Sequence, residues 1–259
     1  MTVPAPLTVV LVEPAGPLNV GSVARLCANF GVHDLRLVAP RCDPSDPDAV
    51  KMAVHGQSLL AQARIFPTLL DAISDCCRVI ATAGRLDHGT IPLGTPEEVL
   101  PWALGGTSSQ PSALVFGRED HGLTNEELLL SQRIITLHSS ATYPSMNLSH
   151  AVAVVLHGIA SLQAQPPAAT ASTLQTVPNL DPASAKALNA CLNDAQDLLL
   201  EVGFLLDHTS RARMAKVSAL LQRALVQADE VALLRGMVRQ LRWAVRQQRP
   251  SPLAVLSRA

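Results

Sequence analysis

Apolar positions recur along this chain in two alternating rhythms. Leu7–Val12 is a continuous apolar-rich run, as expected of a strand covered on both faces. Asn19 then stands where it can cap a helix running to Phe30, with Gly31 as its stop. Leu35–Val38 reads as the next strand, and Asp48–Ala63 has helical periodicity with His55-Gly56 inside it. Arg78–Thr82 reads as a strand ending in Ala83-Gly84-Arg85, and Pro96–Trp102 as a short helix. Ala113–Phe116 is a strand, Thr124-x-x-Glu127 a capping box that opens another helix, and Ile134–Leu137 a further strand. Asn147 opens a strongly apolar helix to about Leu162. This βαβ alternation predicts an α/β fold with a mostly parallel sheet and helices on both faces.

Beyond residue 163 the rhythm stops. Residues 164–184 are rich in Ala, Pro, Thr and Ser and read as a linker. Residues 185–259 form a small helical extension, with amphipathic helices over Ala185–Phe204, Thr209–Gln227 and Asp229–Gln248. In the last, Arg235, Arg239, Arg242 and Arg246 share one face, with Leu233, Leu234, Met237 and Leu241 on the apolar side.

Charge divides along the same line. Met1–Asp207 carries 10 Lys+Arg against 19 Asp+Glu, and His208–Ala259 carries 10 against 2. A basic segment on an acidic body is an electrostatic footprint for a polyanion, although a solvated Arg face gives the same pattern. Hydrophobic residues make up 48% of the 259 and aromatics only 3%, so the core rests on Ala, Val, Leu and Ile. No apolar run reaches the ~18 residues of a membrane span and no secretory signal opens the chain, so a cytoplasmic protein is expected. The five cysteines include no Cys-x-x-Cys, and the eight histidines no His-x-x-x-His, so no metal site is expected. Cys76 and Cys77 are adjacent in an apparent strand and read as buried small hydrophobes.

The chemistry concentrates where strands give way to helices, in Glu13–Gly31, Leu114–Leu128 and Leu137–Val154. In an open α/β sheet such strand exits line the ligand crevice. Gly16-x-x-x-x-Gly21-Ser22 has the glycine spacing of a P-loop but lacks its Lys, and no Gly-x-Gly-x-x-Gly follows a strand. No Gly-x-Ser-x-Gly marks a hydrolase. Arg25, one turn after Gly21, suits a phosphate or a developing alkoxide, or else a surface salt bridge. Gly117 allows a ligand to approach the backbone. Glu119 and Asp120 are adjacent, so they point apart and do not form a shared-proton dyad; Glu119 equally fits a structural tie to backbone N–H groups. Ser145 and Asn147 offer polar atoms beside the apolar Met146 and Leu148.

Taken together, Glu-Pro…Asn-x-Gly-x-x-x-Arg…Asn-Phe-Gly, Gly117–Leu123 and Tyr143–Ser149 resemble the SPOUT superfamily of methyltransferases, in its TrmH-like branch. Ala53-x-His55-Gly56, Ala81–Arg85 and the run Arg213–Trp243 look like the tRNA ribose 2′-O-methyltransferases of that branch. The resemblance covers most of residues 5–162 and about 200–244. It implies a SPOUT-type sheet with a C-terminal trefoil knot in a domain over residues 1–163, S-adenosyl-L-methionine (AdoMet) as cofactor, tRNA as partner and a homodimer. The implied target is the pyrimidine at nucleotide 32 of the anticodon loop, with another tRNA or rRNA ribose, or a non-catalytic RNA-binding role, as alternatives. It places AdoMet against Thr82, Ala83, Gly84, Gly117, Leu137, Pro144, Ser145, Met146 and Leu148. Catalytic roles fall to Arg25, Asn19, Glu119, Ser145 and Asn147, and RNA contacts to Arg25, Arg85, Arg118, Arg235, Arg239, Arg242 and Arg246. The helix from Asn147 to Leu162 serves either as a dimer interface element or as core. One departure is Leu137-His138, where relatives usually have Ile-Pro.

Overall fold

The fold is described from a computed structural model, over residues 6–84, 91–106, 110–137, 139, 142, 145–164 and 181–248. Seven strands form one sheet: β1 (Leu7–Val12), β2 (Asp34–Val38), β3 (Arg64–Phe66), β4 (Arg78–Thr82), β5 (Leu93–Gly94), β6 (Ser112–Phe116) and β7 (Arg133–Ile135). Their order is β3-β2-β1-β6-β4-β7-β5, and every pairing is parallel. Helices between them are α1 (Pro17–Asn29), α2 (Pro47–Ala53), α3 (Gln57–Ala61), α4 (Leu69–Ala72), α5 (Pro96–Leu104) and α6 (Asn125–Leu128). After β7 come α7 (Leu148–Ala164), α8 (Ala185–Glu201), α9 (Asp207–Ala224) and α10 (Ala228–Gln248).

The strand side chains alternate between two cores. Val9, Leu11, Leu35, Leu37, Ile80, Leu114, Phe116 and Ile135 meet α1, α5 and α7 on one face. Val10, Val12, Val38, Val79, Ala81, Val115 and Ile134 meet α4, α6 and the start of α8 on the other. Burial on both faces explains why the central strands read as continuous apolar runs. The thiol of Cys27 lies inside the first core, and burial pushes its pKa up to about 12, leaving it a small hydrophobe.

Two close approaches fix α1. A Cβ on Gly21 would lie 2.1 Å from the Ala49 carbonyl oxygen of α2, and one on Gly56 would lie 2.6 Å from that of Ala24. The helical segment expected over Asp48–Ala63 is broken to make this contact. Val54 has φ +49°, strained for a β-branched residue, and a 3₁₀ turn over Val54–Gly56 separates α2 from α3.

Other expectations shift for local reasons. Helix α1 starts at Pro17, with Gly16 rather than Asn19 at its N-cap, because proline suits the first helical position. Cys76 and Cys77 precede β4 instead of lying within it; both are buried. The edge strands β3 and β5 and helix α4 escape a periodicity search because each has only two to four residues.

Helix α7 runs to Ala164, and the chain is next described at Asp181. There Arg78 Nε donates to Asp181 Oδ1 at 3.1 Å, and the Ala185 N–H donates to the Cys76 carbonyl at 3.0 Å. Ala183 just before α8, Leu188 and Cys191 of α8 and Val231 of α10 form a small core, with Leu221 of α9 packed against it. Helix α9 rests on the sheet domain through Ser218 and Gln222, which donate to the Leu129 carbonyl at 3.5 and 3.3 Å. No described helix is long and apolar enough to cross a membrane. Residues 85–90 and most of 138–144, where the chain path would decide the expected knot, lie outside the described residues.

Candidate functional site

Strands β4, β6 and β7 are neighbours, and their carboxyl ends open onto a cavity of about 430 Å³, within the range of small-molecule sites. Thr82, Ala83 and Gly84 line it after β4, Gly117, Arg118 and Glu119 after β6, and Leu137, Ser145, Met146 and Leu148 between β7 and α7. Phe116, Ile135 and Ala151 close the apolar part of the wall, and Asp120, His121 and Gly122 continue the β6 loop. Those six were missed by the sequence reading. Phe116 and Ile135 at strand ends and Ala151 on α7 read as core, and Asp120 was set aside with the excluded dyad.

Three distant loops are joined here by one hydrogen-bond chain. The Glu119 carboxylate accepts from the N–H groups of Ala15 (3.1 and 3.2 Å) and Gly16 (3.1 Å), and from Asn19 Nδ2 (3.0 Å). Asn19 Oδ1 accepts from Asn147 Nδ2 at 3.0 Å. Asn147 Oδ1 accepts in turn from the Ser149 N–H (2.9 Å) and hydroxyl (2.8 Å), capping α7. Burial alone would raise the Glu119 pKa. The Asn19 amide and the Ala15 and Gly16 N–H groups outweigh it and hold the carboxyl below its usual range. Glu119 is therefore a clamp on the start of α1. Asp120 turns away to Arg41 (3.3 Å) and His121 (2.7 Å), so the two carboxylates form no dyad.

The β6 loop is closed tightly. Arg118 and Gly122 exchange backbone hydrogen bonds of 3.3 and 3.0 Å. A Cβ on Gly117 would stand 2.3 Å from the Gly122 carbonyl carbon. The close approach at Gly117 is thus by the chain's own backbone rather than by a ligand. Gly122, at φ +72°, makes the turn.

Several expected residues have other employment. Arg118 is ion-paired to Glu13 and, at 2.8 Å, to Glu127, with its side chain 8% exposed. It ties three loops together and is not a free phosphate contact. Its guanidinium pulls the Glu13 carboxyl below its normal range through that hydrogen bond. Thr82 reaches the cavity but directs its hydroxyl to the Val115 carbonyl at 3.1 Å. Asn19 and Asn147 lie behind the cavity wall in the clamp. Arg25 is not among the lining residues; it is exposed on α1, with no hydrogen bond or ion pair among the described residues. Pro144, Arg85 and His138 lie outside the described residues.

The arginine face of α10 is partly engaged within the helical unit. Arg235 pairs with Asp194 of α8 at 2.8 Å. Arg242 and Arg246 approach Glu201 at 3.9 and 4.0 Å, and Arg242 also donates to the Asp194 carbonyl at 2.8 Å. Arg235 and Arg242 thus turn toward α8 while Arg239 and Arg246 stay exposed, and on the side expected to be buried Leu233, Met237 and Leu241 are exposed by 66%, 53% and 56%. Of the four arginines only Arg239 is exposed without a partner among the described residues.

The chain is similar to several known proteins. Residues 6–157 match the model of the SpoU rRNA methylase family. A tRNA (cytidine-2′-O-)-methyltransferase TrmJ from Methanocaldococcus jannaschii is 40% identical over 157 residues, 59% of this chain and 66% of that protein. The tRNA (cytidine/uridine-2′-O-)-methyltransferase TrmJ of Cronobacter sakazakii is 31% identical over 90% of this chain and 94% of its own length. The crystal structure of TrmJ from Z. mobilis ZM4 superposes with a TM-score of 0.79 at 29% identity, covering 92% of this chain and all of that one.

Proposed function

Since the chain belongs to the SpoU methylase family, within the SPOUT superfamily, we propose that it transfers a methyl group from AdoMet to a ribose 2′-hydroxyl of tRNA. The observation that carries this reading is the cavity backed by the Glu119–Asn19–Asn147 chain, whose hydrogen bonds join side chains 100 and 128 positions apart behind one wall. The cavity suits AdoMet. Its volume matches, Leu137, Met146 and Leu148 offer apolar surface to an adenine ring, and the loop at Gly117 and Ser145 offers polar atoms. When bound, AdoMet supplies an electrophilic methyl on a sulfonium whose leaving group is a neutral thioether.

The chain's own residues position and polarise. An in-line displacement gains much of its rate from holding the attacking oxygen close to the methyl carbon. Arg25 stabilises the alkoxide that develops on the ribose and anchors the neighbouring phosphate. A guanidinium with a pKa above about 12 is a poor base, so deprotonation is not its role. Because Arg25 lies outside its own chain's cavity, the reading includes a homodimer in which Arg25 of one protomer completes the cavity of its partner. Exposed Leu18 on α1 and Val154 on α7, two helices packed on one another, offer apolar surface for that contact. The proposed target is the pyrimidine ribose at nucleotide 32 of the anticodon loop, and the proposed compartment is the cytoplasm.

The test is labelling of separate pools of total tRNA and rRNA with tritiated AdoMet, followed by mapping of the methylated ribose. Label at a 2′-oxygen of nucleotide 32 is expected. Label confined to rRNA, or on a base, overturns the substrate reading. Arg25→Ala should keep AdoMet affinity and lose turnover; equal loss of both overturns its role.

A further inference from the structure

Phenylalanine is scarce in this chain, with four residues in all, and three of them lie in or against the two cores. The fourth, Phe204, stands in the turn between α8 and α9 with 62% of its surface exposed. Its ring is held in place. The Arg213 guanidinium lies 5.8 Å from the ring centroid, and Arg213 Nη1 donates to the Phe204 carbonyl at 2.9 Å. An arginine pinned in this way keeps its charge at the ring without a carboxylate to neutralise it. Leu206, also exposed, follows in the same turn.

This corner is tied toward the cavity. Arg211, two residues before Arg213 on α9, forms an ion pair with Glu126 of α6. The preceding residue of α6, Asn125, lines a small recess together with Ala83, Gly84, His121 and Gly122, which also line the main cavity. Farther along α9, Lys216 and Arg223 are exposed with no partner among the described residues.

We propose that Phe204 and Arg213 form a stacking platform for an unpaired RNA base near the methylated ribose. The occupant is single-stranded RNA because the platform joins an exposed aromatic face to an uncompensated guanidinium, the pairing that unstacked bases use. A flanking row of Lys216 and Arg223 would follow the phosphates. The inference rests on the tRNA reading above and adds a base contact that the methyl-transfer site does not contain.

The test compares full-length wild type with Phe204→Ala, Phe204→Trp and Arg213→Ala. tRNA affinity is measured by filter binding over a salt series, alongside KM and kcat for methyl transfer. Phe204→Ala should weaken tRNA binding and raise KM for tRNA by about tenfold, within the range for removing one base–aromatic stack, with an unchanged salt slope. Phe204→Trp should restore both values. Arg213→Ala, which removes a cation as well as half of the platform, should weaken binding and lower the salt slope by about one charge. AdoMet affinity, kcat and sedimentation should not move. Wild-type tRNA affinity in Phe204→Ala overturns the platform, as does failure of rescue by tryptophan. A change in oligomeric state would show instead that a second copy covers Phe204. A wild type that binds tRNA through Phe204 without methylating it would sink the methyl-transfer reading and leave the platform standing.

Discussion

Replacing Glu119 by alanine removes one acceptor shared by three donors. Hydrogen bonds to an ionised acceptor contribute about 1.5–3 kcal/mol each, and solvent-exposed ones far less. The Ala15 contacts are exposed, so water can replace them; the Gly16 and Asn19 contacts are half-buried. Counting the latter two at the low end gives about 3 kcal/mol for Glu119→Ala. For a chain of this size that lowers the melting temperature by about 6–12 °C. The functional loss should be larger than the thermal one suggests, because the same carboxylate sets where α1 meets the cavity wall. AdoMet affinity, measured by calorimetry well below the melting transition, should therefore fall. A double-mutant cycle with Asn19→Ala separates a shared network from two independent defects. The expected coupling is about 1 kcal/mol or more. Additivity within about 0.5 kcal/mol, or unchanged AdoMet affinity in a destabilised protein, would refute the clamp.

Acid should loosen the same loops. Glu13, Glu119 and Glu127 all have folded pKa values below their usual range, so their stabilisation is complete above about pH 5 and is lost as pH falls through the folded values. Urea midpoints between about pH 5 and 3 should drop less steeply in Glu119→Gln than in wild type, and parallel curves would count against it. Gly117→Ala should abolish AdoMet binding while leaving the helical circular dichroism unchanged, because a Cβ there meets the Gly122 backbone at 2.3 Å; wild-type affinity would show that the loop can open freely. Arg239→Ala should lower the slope of tRNA affinity against salt by about one contact, whereas Arg235→Ala should lower the melting temperature and spare the slope. Equal slope changes would restore both arginines to the RNA surface.

The sequence made the centre of the sheet legible and its edges illegible. Leu7–Val12 and Arg78–Thr82 were read to the residue because strands buried on both faces are written as apolar runs. Ile65 of β3 is 60% exposed at an edge, where no such run is required. The three loops could be grouped because their residue types are costly to bury without partners, and the structure supplies those partners to one another. The individual roles were less readable. Asn19 resembled a cap because its true partner, Glu119, lies a hundred residues away. The orientation of α10 could not be read from α10 alone. Arg235 and Arg242 turn toward α8 because Asp194 and Glu201, two turns apart on it, are there to receive them.

The position of β6 between β1 and β4 has a consequence during synthesis. When Pro111 leaves the ribosome, β1 has one bare edge, and β4 has neither of its neighbours, since β6 and β7 are still to be made. Of these three unpaired edges, two wait for one insertion, that of β6, from the later part of the chain. Open edges of this kind pair readily with other nascent chains. The half-translated polypeptide is therefore the species most in need of chaperone shielding, and slowing translation ahead of Ser112 would lengthen its exposure.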